Sequence, residues 1–223
     1  MAMYRAMRRR FGHRHWWPTF AARPTQTPPP REAALEICVG AILTQNTNWG
    51  NVERAIANLT ADGCMSVGEL HAKPLGTLAK LIRPAGYFNV KARRLKNFIA
   101  AVYKDHGDDI EGFLDRGVAE LRGELLSVSG IGPETADSMI LYAAGKATFV
   151  VDAYTRRILL RHGLIGGGES YDVIKEMFES SLPADVGLWN DYHAQFVAVG
   201  KAFCRPAARC KGCPLVRFHR GSQ

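Results

Sequence analysis

Glu134 and Asp152 are two carboxylates in places where a carboxylate would have work to do. Glu134 stands two residues past the second glycine of SGIGPETADSMILYA, and Asp152 opens DAYTRRIL. Gly130 and Gly132 permit positive φ and carry no Cβ to hold a ligand away from the backbone. Pro133 is preorganised for a first helical turn, where its missing N–H costs nothing. The N–H groups from Gly130, Ile131 and Gly132 to Thr135, with a helix dipole behind them, would form an anion site. An ordinary interhelical turn uses the same glycines. Asp152 at a helix start would cap backbone N–H groups, and a capped carboxylate is a rigid, ionised one.

Cys204, Cys210 and Cys213 fall within ten residues in a basic, Pro-containing stretch, CRPAARCKGCPLVRFH. That spacing suggests a metal or cluster loop more than disulfides, because a cytosolic chain keeps its thiols reduced. Cys38 lies in an apolar helical pattern and reads as packing, and Cys64 has no ligand-like neighbour. Trp16, Trp17 and Pro18 stand together in HRHWWPTF, and Trp49 ends QNTNW. Adjacent tryptophans near a chain end can simply staple an arm onto a core.

The elements that must position these groups are helical. Apolar residues recur at three and four in REAALEICVGAILTQ, NVERAIANL, VGELHAKPLGTLAKLI, VKARRLKNFIAAVY, GVAELRGELLSV, TADSMILYAAG, AYTRRILLRHGLI, YDVIKEMFESSL and NDYHAQFVAVGKAFC. No alternating segment is flanked by hairpin turns, so the expected class is all-α. TQTPPPRE breaks an N-terminal arm from the body, and GLIGGGESYD is a second break closed by Ser170 as an N-cap. The expected division is 32–146 as one domain, with 1–31 and 147–223 forming a second.

The 223 residues are 47% apolar, a globular composition. No apolar run approaches the roughly 18–20 residues of a membrane span. The basic N-terminus lacks a signal peptide's apolar core, so a cytoplasmic protein is expected, nucleoid-associated if bacterial. A net charge of +8 concentrates polyanions, of which nucleic acid is the commonest, although a basic face can be merely solubilising.

SGIGPETADSMILYA…FVVDAYTRRIL resembles the helix-hairpin-helix and Gly/Pro-rich–Asp segment of the endonuclease III superfamily of DNA glycosylases. AILTQNTNWGNVERA and GYFNVKARRL resemble two further motifs of that superfamily, in the same order. The resemblance implies a six-helix barrel domain and a second helical domain flanking a DNA-binding cleft. It implies that Asp152 stabilises the positive sugar as the glycosidic bond breaks, that Gln45 fills the gap left by a flipped base, and that Tyr87 lies near the wedge. It implies that Gly130, Ile131, Gly132 and Thr135 meet a DNA phosphate. Glu134 departs from the bifunctional members, which carry a lysine there. A carboxylate cannot form their Schiff base, so a monofunctional enzyme is expected.

Trp-Trp-Pro, LTQNT and a GIG-E-AD hairpin are most similar to the branch of 3-methyladenine DNA glycosylases called type III. That implies alkylated purines as substrates and Trp16, Trp17, Pro18 and Trp49 as pocket walls. A cationic base on indole faces would gain roughly 0.5–2 kcal/mol. The cysteine stretch resembles the superfamily's [4Fe–4S] loop, but reads Cys-x5-Cys-x2-Cys-x5-His, with His219 at the fourth position. A cluster on three Cys and one His, a zinc ion, or a loop that has lost its metal all remain open. The expected partner is double-stranded DNA containing damaged bases, bound by a monomer. An enzyme for oxidised or mismatched pyrimidines and a non-catalytic DNA-binding module are the alternatives.

Overall fold

The computed structural model describes residues 1–19 and 33–218. They form helices and turns with no strand among the described residues, the all-α class that the periodicity predicts. The chain begins with α1 (Ala2–Phe11). Eight helices follow: α2 (Ala34–Leu43), α3 (Trp49–Ala61), α4 (Val67–Ala72), α5 (Leu75–Leu81), α6 (Phe88–His106), α7 (Ile110–Leu114), α8 (Val118–Ser127) and α9 (Pro133–Ser138). A π-helical turn, Met139–Ala143, continues α9. Then come α10 (Ala153–Arg161), α11 (Tyr171–Glu179) and α12 (Val186–Ala202).

Helix starts have residue-level causes. Asn48, Ser66, Asp109, Asp152, Ser170 and Asp185 each accept a hydrogen bond from the backbone N–H three residues on, at 2.7–3.3 Å. The single periodic run VGELHAKPLGTLAKLI becomes two helices, because Pro74 cannot supply the N–H that would carry α4 into α5. Helices α1 and α7 lie outside the periodic segments.

Two compact units divide the chain: Trp17–Lys146, and Met1–Trp16 together with Ala147–Gln223. In the first, α2 is the axis. Nine of its ten residues are buried and only Glu36 is not, so it is apolar all round, as a helix enclosed by others must be. Ile37, Ile42 and Leu43 of α2 pack in a core with Val52, Ile56, Phe98, Ile99 and Phe113. Trp17, expected with the N-terminal arm, belongs to this unit because its ring packs on Trp49 and Tyr142.

The second unit has an aromatic core. Phe149 stacks on Phe178 at 3.9 Å, Tyr192 stacks on Phe196 at 5.0 Å, and Phe178 meets Tyr192 edge-on at 5.6 Å. Buried Asp191 on α12 ties down the N-terminal arm, accepting from the Tyr4 hydroxyl at 2.9 Å and the Arg14 N–H at 2.8 Å. Burial and that carboxylate push the Tyr4 hydroxyl up to about 12. Gln195, one turn on, donates to the Gly12 carbonyl at 2.6 Å.

Candidate active site

In the Trp17–Lys146 unit, α8, the turn and α9 form a hairpin held from inside. The Ile131 N–H donates to the Val128 carbonyl at 3.0 Å, and the Ile131 side chain is buried. Gly130 has φ +100°, and a Cβ there would overlap the Arg94 side chain, so only glycine fits. Gly132 is extended, and a Cβ on it would meet nothing within 4 Å. No side chain caps α9. Its N-terminal turn therefore offers backbone N–H groups of the kind that bind anions.

Gln45 joins this hairpin to the end of α2. Its Nε2 donates to the Gly130 carbonyl at 3.2 Å and to Thr135 Oγ1 at 3.0 Å, and the Arg94 guanidinium donates to its Oε1. The Thr135 hydroxyl oxygen is thus engaged as an acceptor inside the protein. Glu134 is exposed in the first turn of α9, where the helix dipole favours a carboxylate. Tyr87 caps α6 in the left-handed region, φ 44° and ψ 34°, and is 73% exposed. A bulky residue held there costs on the order of 1–3 kcal/mol, a cost that clusters at functional positions.

Trp17 and Trp49 meet edge-on at 5.1 Å, and Tyr142 lies 5.2 Å from Trp17. A Cβ on Gly40 would stand 3.4 Å from both indoles, in van der Waals contact with each, so the rings converge on α2 at this residue. Trp49 Nε1 donates to Glu53 Oε1 at 2.9 Å. Trp17 is 5% exposed, whereas Trp49 and Pro18 are half-buried. Trp16 belongs to the other unit, with Lys201 Nζ 5.9 Å from its ring centroid. Of the four expected pocket residues, Trp17 and Trp49 are in direct contact, and Tyr142 joins them.

Asp152 lies in the unit of both chain ends. Its Oδ1 accepts from the Thr155 N–H at 2.7 Å, which makes it the N-cap of α10. Its Oδ2 is 3.6 Å from His193 Nε2 on α12, with the two side chains 12% and 6% exposed. Burial pushes the carboxyl up, but a charge on His193 and the Thr155 N–H outweigh it, and the net shift is downward. Asp152 is therefore ionised at neutral pH.

Cys204 is buried, Cys210 exposed and Cys213 between the two. Arg161 donates to Cys204 Sγ at 3.3 Å and Arg157 to the Cys204 carbonyl at 2.7 Å, so α10 pins the start of this loop. Burial raises the Cys213 thiol, and the neighbouring Cys210 and Cys204 raise it further. Three soft sulfurs are the donor type an iron–sulfur group takes, and one of them already receives a guanidinium hydrogen bond. Among the described residues, no three His, Cys, Asp or Glu side chains are gathered to hold a metal ion, and His219 lies outside the described residues.

Arg94, Tyr142 and His193 had no place in the sequence-level site. Arg94 is announced by the basic run KARRL. Tyr142 and His193 sit in apolar helical patterns that look like core, and nothing in their spacing marks them.

Residues 39–184 match the sequence profile of the HhH-GPD superfamily of base excision DNA repair proteins. A protein of Methanocaldococcus jannaschii, named as a candidate DNA repair glycosylase, is 43% identical over 217 residues, 97% of this chain and 93% of its own length. Endonuclease III of Sulfolobus acidocaldarius is 32% identical over 173 residues, 75% of this chain and 72% of its own. Among solved structures, the H. pylori 3-methyladenine DNA glycosylase bound to 1,N6-ethenoadenine aligns with a TM-score of 0.70 at 25% identity, covering 90% of this chain and 97% of that one. An endonuclease III trapped as a covalent DNA intermediate aligns with a TM-score of 0.79 at 20% identity, covering 98% and 92%, a likeness of fold.

Proposed function

The chain belongs to the HhH-GPD superfamily of base excision DNA repair proteins and is a DNA glycosylase, and we propose that it releases alkylated purines such as 3-methyladenine by hydrolysis, without bonding covalently to the DNA. The observation that carries this reading is a pair of acids. Asp152 is a half-buried, ionised, helix-capping carboxylate, and Glu134 puts an exposed carboxylate where an amine nucleophile would be needed.

The bond under attack is inaccessible inside a duplex, so the damaged nucleotide must leave the stack. Exposed Tyr87 opens the stack and Gln45 fills the gap. The Gly130–Ile131–Gly132 turn and the Thr135 backbone hold a phosphate of double-stranded DNA. As the glycosidic bond breaks, positive charge builds on the sugar, and the Asp152 carboxylate stabilises it while water attacks. No imine forms, because Glu134 has no nitrogen to give. A 3-methylated purine is cationic and already a good leaving group, so electron-rich rings suffice to recognise it. Trp17 and Trp49 supply such faces, with Pro18 directing the arm; Trp16, the fourth expected wall, belongs to the other unit.

An iron–sulfur cluster, where bound, would be held by Cys204, Cys210 and Cys213 with His219, and would supply structural rigidity rather than chemistry. Arg157 and Arg161 anchor the start of that loop. The enzyme acts where its DNA is, and we place it in the cytoplasm.

A second reading, removal of oxidised or mismatched pyrimidines, is favoured by the 32% identity to a protein named endonuclease III. One experiment separates the two. Duplexes carrying 3-methyladenine, 7-methylguanine, an oxidised pyrimidine or a mismatched thymine are incubated with the protein, released base is measured, and borohydride is added to a parallel reaction. Methylated purine in the supernatant with no trapped adduct is the expected result. Release of pyrimidines alone, or a trapped covalent complex, would overturn it.

A further inference from the structure

Helix α12 presents one face to α10, and two residues seven apart on that face make the contact. At Gly200 the Tyr154 ring comes so close that a Cβ would overlap it, which lets the helices approach. Seven residues earlier, two turns along the same face, is His193, 5% exposed and 3.6 Å from Asp152 Oδ2. The Thr155 N–H holds the other oxygen at 2.7 Å. The carboxylate therefore has a neighbour at each oxygen: a hydrogen bond from its own helix and, at ion-pair distance, an imidazole nitrogen of a facing one.

We infer that His193 is a positioning residue for Asp152, fixing the carboxylate plane so that one face stays directed at the reacting sugar. The inference rests on the reading of Asp152 given above. An N-cap bond alone restrains one oxygen and leaves the second able to swing into water, where it would be solvated and weaker as an electrostatic partner. The imidazole prevents that swing. No proton changes hands in this role, since the carboxylate stays ionised throughout. Other charged groups on the packed helices are engaged elsewhere: Asp191 with Tyr4 and the Arg14 N–H, Arg8 with Tyr4, and Arg157 with the Cys204 carbonyl. The carboxylate facing His193 is Asp152. The contact strengthens when the imidazole is charged, so the rate of base release should respond to pH.

The test compares the parent with His193→Ala, His193→Gln and Asp152→Asn. It measures single-turnover release of methylated purine between pH 5 and 8, duplex affinity and thermal midpoint. His193→Ala should lose about ten-fold or more in rate with duplex affinity unchanged, about the loss seen when the outer partner that orients a metal-binding side chain is removed. His193→Gln keeps an N–H donor near the Nε2 place, so it should recover much of the rate and lose the parent's pH response. If His193→Ala does not fold, the Gln variant decides, and a parent-like pH response in it would overturn the inference. A parental rate and profile in His193→Ala, with Asp152→Asn inactive, would overturn it while leaving the reading of Asp152 standing. A fully active Asp152→Asn would instead remove that reading, and the inference with it.

Discussion

Lys91 is 2% exposed, and its Nζ donates to the carbonyls of Leu43 and Ala85, both at 2.8 Å. It closes the C-terminal end of α2, where carbonyls lack helical partners. Burial, then the nearby Arg94 charge, push its ammonium down from 10.5 to about 8. Because the folded value is the lower one, between about 8 and 10.5 the folded chain has released a proton that the unfolded chain still holds. Stability contributed at this site therefore rises with pH across that window. Replacing Lys91 with Met should destabilise the fold by about 1–3 kcal/mol, the cost of abandoning two buried carbonyls. Denaturant titrations of both proteins from pH 7 to 10.5 should show their stability difference growing with pH, and a constant difference would count against this account. Single residues were unevenly legible in the sequence. Asp152 and Ser170 could be read as caps because the acceptor and the N–H lie three residues apart. The link from Asp152 to His193 spans two helices, and a lone histidine in NDYHAQF carries no local sign of it.

At the scale of elements, the hairpin depends on a clasp between its two helices. Arg122 of α8 donates to both oxygens of Asp137 of α9, Nε to Oδ1 at 2.9 Å and a terminal nitrogen to Oδ2 at 3.3 Å. Asp137 is fully buried, while the Arg122 side chain is 22% exposed. Arg122→Ala strips the guanidinium from a carboxylate that stays inside, at a cost on the order of 3 kcal/mol. Arg122→Leu combined with Asp137→Leu should recover much of that loss. Equilibrium unfolding of the single and double variants measures both, and an unaffected Arg122→Ala would show the clasp to be idle. The periodic segments predicted most of the helices, because an apolar stripe recurring at three and four persists for several turns. Helix α7 is only five residues long, too short to show a period. Helix α1 was obscured by its basic residues, although Tyr4, Ala6 and Met7 form its buried stripe. Pro74 was visible but was outvoted by the pattern around it.

The whole molecule is a chain whose two ends share one unit while its middle forms the other, and the residues of the proposed site are divided in the same way. The hairpin, Gln45, Tyr87 and the Trp17–Trp49 pair lie in the middle unit. Asp152, His193 and the cysteine loop lie in the unit of the ends. The +8 charge suits a polyanionic partner, and its attraction weakens with salt because counterions released into a saltier solution gain less entropy. The Trp17 assignment was the part least open to sequence reasoning. WWPTF reads as one arm, and only packing on Trp49 and Tyr142 separates Trp17 from Trp16.

Release of free 3-methyladenine from duplex DNA by Asp152→Asn and by the parent, at matched occupancy, probes this division most directly. The account predicts a fall of about 10²–10³-fold in single-turnover rate, the usual loss when a group stabilising transition-state charge is removed, with duplex affinity kept. An Asp152→Asn protein that expels the base as fast as the parent would contradict it.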